Sequence, residues 1–138
     1  MSYITEYYVN EDKRTVVCVI QSSAFDAIDY LEKGTDIAIH PRAKGTIQKC
    51  MMPNKFVGIA KCAPEDTWDE HTGRMIAFDR AKFKYDKAFI LASDNFIYLQ
   101  NRYMLMMNQR FDKFIQNAAD YHYDRQSQID ELIDPSNN

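Results

Sequence analysis

The chain has 138 residues, a net charge of −3, 46% apolar residues and only four Gly and four Pro. That size and composition fit one soluble globular domain with its own core and exclude low-complexity disorder. The negative balance disfavours a protein that grips a nucleic-acid backbone, and three Cys without C-x-x-C spacing argue against a disulfide scaffold or a zinc site.

Residues 2–9 and 14–21 are β-branched and aromatic runs separated by the polar Asn10-Glu11-Asp12-Lys13, which predicts a β-hairpin. The continuous apolar run Val16 to Ile20 predicts a central strand covered on both faces. Ser22-Ser23 then offers an N-cap, Phe25, Ile28 and Leu31 share a helical stripe, and Gly34 is placed to end a short helix. Asp36 to His40 reads as a short edge strand stopped by Pro41, and residues 42–45 as a basic turn. Residues 46–51 read as a further strand, Pro53-Asn54 as a turn, and residues 55–62 as another strand carrying Phe56, Val57, Ile59, Ala60 and Cys62. A second helix is expected to start between Asp66 and Asp69, both good N-caps, with Ile76, Ala77, Arg80, Ala81 and Phe83 on or near one face.

Residues 89–92 read as a brief apolar link, and Ser93-Asp94 as the cap of a third helix. From Phe96 to Pro135 there is neither Pro nor Gly. Phe96, Leu99, Tyr103, Met107, Phe111, Phe114, Ala118, Tyr121, Arg125, Ile129 and Leu132 follow at steps of three and four, the signature of one helical stripe. A helix of that length, about 55 Å at 1.5 Å per residue, must bend, break or project from a compact domain. The weak helix formers between Asn117 and Asp124 predict a break there. The alternative is pairing of the helix with a second copy, a homodimer through the C-terminal helix. The fold expected is α+β: a small, mostly antiparallel sheet of three to five strands packed with helices, plus a long or broken C-terminal helical region over about 94–133. Residues 1–134 form the domain, and 135–138 a frayed end.

No Walker loop, GxSxG, HExxH or GxGxxG occurs, so no catalytic residue, cofactor or metal ligand is assigned. His71 has acidic neighbours but needs ligands from elsewhere. Cys62 is followed by acidic residues that disfavour a thiolate. A small Cys62- or His71-dependent enzyme therefore remains an alternative without a motif behind it. Arg80, Lys82, Lys84 and Lys87, interleaved with Phe83 and Tyr85, form a basic strip that suggests a nucleic-acid-binding regulator as another alternative. Met104-Leu105-Met106-Met107 places apolar groups on every side of a helix. This fits a helix buried within the domain or an adaptable binding surface. The N-terminus lacks a basic start and an apolar run, so no secretory leader or membrane span is expected, and the cytoplasm is the expected compartment.

The run from Cys62 through Glu65-Asp66-Thr67-Trp68-Asp69-Glu70 to Gly73 and Ala77 resembles a module of small uncharacterised bacteriophage and prophage proteins. In these a strand ends in Cys, an acidic turn with one aromatic follows, and a Gly opens a helix. The resemblance covers about 30 residues and implies a phage-type protein acting in a bacterial host cytoplasm. Such proteins include anti-CRISPR-like inhibitors of defence nucleases. The implied function is a non-enzymatic interaction protein that binds and modulates a bacterial protein. The surfaces expected to make that contact are the acidic turn Glu65, Asp66, Asp69 and Glu70, and the helical face carrying Asp120, Tyr121, Tyr123, Asp124, Asp130 and Glu131.

Overall fold

A computed structural model describes residues 3–34 and 47–133. The strand expected at 36–40, its Pro41 stop, the basic turn at 42–45 and the end at 135–138 lie outside these residues. The elements in order are β1 (Tyr3–Asn10), β2 (Thr15–Ser22), α1 (Asp26–Glu32), a 3-10 turn (Gln48–Cys50), β3 (Lys55–Lys61) and α2 (Glu70–Ile133). The fold is α+β, with the three strands antiparallel in the order β1-β2-β3. The chain divides into two compact units, Met1–Tyr98 and Leu99–Asn138.

The first unit is built on β2. Val16, Cys18 and Ile20 alternate onto one face and are fully buried, as the two-residue period of a strand requires. Tyr7 and Gly58 lie opposite Cys18, and Thr5 and Phe56 opposite Ile20. The first stretch of α2 covers this face with Ala77, Ala81, Tyr85, Ala92 and Phe96. Small side chains let the helix come close. A Cβ on Gly58 would lie 2.1 Å from the Ala77 carbonyl oxygen, and one on Gly73 would lie 2.8 Å from the Val16 side chain. The expected central strand is central; on its other face Val19 is buried, while the neighbouring Ile4, Tyr8 and Ile59 are exposed.

Tyr85 anchors the aromatic core. Its ring packs against Tyr3 at 5.2 Å, Phe56 at 5.5 Å and Phe89 at 6.0 Å. Its hydroxyl donates to the buried Asp26 carboxylate at 3.0 Å, which ties α1 to α2. Burial, reinforced by the hydrogen bond to Asp26, pushes the Tyr85 hydroxyl far above the ordinary tyrosine range. The 3-10 turn is held by the Asn95 amide on the Lys49 carbonyl at 2.8 Å and leads to the Met52 N–H on the Ala24 carbonyl at 2.9 Å.

Four expectations are corrected. A 3-10 turn, Gln48–Cys50, stands within the segment read as a strand at 46–51; it carries the buried Cys50, and Met52 just beyond it packs in the core. The second and third helices are one, since nothing in residues 85–95 removes a backbone donor and Ala88, Phe89 and Ala92 pack on the core. No break occurs between Asn117 and Asp124: weak propensity costs a few tenths of a kcal/mol per residue, whereas a break forfeits backbone hydrogen bonds. The buried face of α2 carries Ala77, Ala81 and Tyr85, while Ile76, Arg80 and Phe83 face outward.

Candidate protein-interaction surface

The acidic turn lies between β3 and α2 and is organised by the hairpin opposite it. Arg14 sits at φ +52° after the β1–β2 turn and reaches across. Its guanidinium donates to the Pro64 carbonyl at 3.3 Å and to the Asp66 carbonyl, and lies 3.1 Å from the Cys62 sulfur. Asp69 is the helix cap: its carboxylate accepts from the His71 N–H at 3.1 Å and the Thr72 hydroxyl at 2.7 Å. The Thr72 hydrogen bond holds the Asp69 carboxyl below the usual carboxylate range. Glu70 pairs with Arg74 at 3.6 Å one turn on. Glu65 and Asp66 are exposed. A cleft of about 300 Å³ beside the turn is lined by Cys62, Trp68, Asp69, Thr72 and Ile76 among others. Two of the four acidic residues are therefore engaged within the helix start. The Cys62 thiol faces Arg14 and backbone carbonyls; it is only partly buried, unlike Cys18. Among the described residues no group of His, Cys, Asp and Glu is gathered to hold a metal ion.

The basic strip is divided. Among the described residues β3 is an edge strand, and the Cys62 N–H on the Arg14 carbonyl places the even residues of β3 in the ladder with β2. The carbonyls of Val57 and Ile59 consequently point off the edge. Arg80 donates to Ile59 at 2.6 Å and Lys84 to Val57 at 2.7 Å, so these cations cap the open edge. Lys82 lies on another side of α2, paired with Asp86 and 5.5 Å from the Tyr85 ring. Tyr85 is buried and offers no ring face for stacking. A shallow groove of about 660 Å³ over Ile59, Ile76, Phe83 and Lys87 remains beside the capped edge.

The second unit consists of the α2 residues from Leu99 to Ile133. The Met104 to Met107 side chains are 45–57% exposed, so the cluster is not buried within the domain. Met104, Phe111, Ala118, Arg125 and Leu132 recur every seven residues, and Met107, Phe114, Tyr121 and Gln128 follow the first four by three. This is the a/d pattern of a coiled-coil seam. Phe111, Phe114, Tyr121 and Leu132 on it are 62–81% exposed.

The acidic residues of this unit do not all meet. Asp120, Asp124 and Glu131 are four, seven and eleven residues apart and form one ridge, with Tyr121 beside it. Tyr123 and Asp130, seven apart, occupy a neighbouring face. Asp120 accepts from Gln116 and Asp130 from Gln126, each at 3.0 Å. Nothing in the sequence marks the reach of Arg14 or the burial of Tyr85, whereas the stripe through Met107, Phe111, Phe114, Tyr121 and Leu132 is legible from its spacing.

No family model matches the chain, and neither a curated protein nor a solved structure matches it. Among the described residues no helix is long and apolar enough to cross a membrane.

Proposed function

We propose that the protein is a non-enzymatic interaction protein whose working element is the helix from Met104 to Leu132. One observation carries this reading: the Met and aromatic side chains Met104, Met107, Phe111, Phe114 and Tyr121 lie uncovered at heptad spacing, with Leu132 further along the same seam. An apolar stripe of that length is unfavourable in water, and a second polypeptide relieves it. The wider role follows the resemblance of the Cys62 to Ala77 module: a phage-type protein that modulates a bacterial protein in the host cytoplasm, with a defence nuclease as the first target to examine. The exposed carboxylates Glu65, Asp66, Asp120, Asp124, Asp130 and Glu131 suit a basic protein groove.

The test is a pull-down from bacterial lysate with the full chain as bait, with and without nuclease treatment. Wild type is run beside a Phe111→Asp/Phe114→Asp variant and a variant reversing Asp120, Asp124, Asp130 and Glu131. A protein partner that survives nuclease and is lost with the Phe variant supports the reading. Capture of nucleic acid alone refutes it, and capture unaffected by the four reversals removes the acidic contact.

A further inference from the structure

We infer that the occupant of the Met104–Leu132 seam is a second copy of this chain, bound antiparallel. The inference rests on the reading of the seam as a protein-binding surface. Three features of the helix point to self-pairing and to its direction.

The first is charge. Residues 99–116 carry the cations Arg102, Arg110 and Lys113 against the single anion Asp112. Residues 117–133 carry Asp120, Asp124, Asp130 and Glu131 against the single cation Arg125. Opposed directions set the cationic half of each copy against the anionic half of the other, whereas parallel pairing sets like halves together.

The second is the size of the seam residues. In an antiparallel pair an a residue faces a d residue. With the two-fold axis at Gln116, Phe114 meets Ala118 of the second copy and Phe111 meets Tyr121. Large then faces small at the centre, flanked by aromatic pairs, which fills space evenly. Parallel pairing would stack Ala118 on Ala118 and each Phe on itself.

The third is Arg125, which occupies a seam position. Parallel pairing would place two Arg125 guanidiniums in one layer, with like charges desolvated together. Antiparallel pairing places Arg125 beside Met107, whose apolar surface covers its stem while the guanidinium reaches water. The same alignment brings Arg110 alongside Asp124 of the second copy. Among the described residues neither side chain has an ion-pair partner within its own chain.

Sedimentation equilibrium on the full chain over a concentration series, with Trp68 fluorescence as a check that the sheet unit is folded, tests this. A dimer is expected for wild type and a monomer for Phe114→Glu. Arg110→Asp and Asp124→Arg should each raise the dissociation constant about three- to tenfold, and the double exchange should restore it. A dimer that the double exchange does not restore overturns the antiparallel alignment. A wild-type monomer at every concentration overturns self-pairing altogether. If a lysate protein is then still captured through Phe111 and Phe114, the interaction-protein reading stands while this one falls.

Discussion

Replacing Gly58 by Ala tests how closely α2 rides on the sheet. The added Cβ would sit 2.1 Å from the Ala77 oxygen and 2.5 Å from the Ala81 nitrogen, both backbone atoms that no rotamer change can move. Ordinary contact begins at 3.4 Å, so the strand and helix must part by 3.4 − 2.1 = 1.3 Å. That separation lifts Ala77 and Ala81 off Val16 and Cys18, all fully buried. Overpacking of this kind costs about 1–3 kcal/mol, and the rigid obstacle puts Gly58 at the upper end. The gain in strand propensity from Gly to Ala returns about 0.5–1 kcal/mol. The expected net loss is about 2 kcal/mol, a fall in Tm of about 8–16 °C for a unit of this size. The assay is thermal and urea unfolding followed by fluorescence of Trp68, the single tryptophan, which packs on this core. Gly73→Ala is the control: its Cβ meets only a Val16 methyl at 2.8 Å, and helix propensity returns about 1 kcal/mol. A Gly58→Ala protein as stable as wild type, or no worse than Gly73→Ala, would refute the close approach.

Tyr85→Phe should cost about 1–3 kcal/mol, because it strands the buried Asp26 carboxylate; equal urea midpoints would contradict this. The raised Tyr85 value also has a pH consequence. Stability from the neutral hydroxyl is complete below the unfolded value of 10.0 and is lost as pH rises above it. Wild type should therefore lose stability more steeply above pH 10 than Tyr85→Phe does, measured as the difference in midpoints between pH 8 and pH 11. Arg80→Ala/Lys84→Ala uncovers the Val57 and Ile59 carbonyls and should speed aggregation on heating, read by light scattering, while leaving the soluble sheet intact. Unchanged scattering would mean the edge is protected by something else. Asp69→Ala removes the cap of α2 and should lower the Trp68 unfolding midpoint, whereas Asp69→Asn should largely keep it.

Local chemistry alone determined much of this protein. The β-branched and aromatic runs of β1 and β2, the polar turn between them, Gly34 after α1 and Asp69 before α2 are all set by neighbours within a few residues, and they stand where the pattern placed them. The heptad repeat from Met104 to Leu132 is equally local, because helical spacing needs no partner to be read. Tertiary structure decided what depends on distant segments meeting. Tyr85 reads as a stacking ring in a basic strip until Asp26, 59 residues earlier, turns it inward. Arg80 and Lys84 read as phosphate ligands until the edge of β3 claims them. Gly58 gains its role only because α2 lies against it. The run 89–92 reads as a link until the core beneath it makes continuation of the helix the cheaper course. In each case the sequence specifies the side chain, and only packing specifies what it faces.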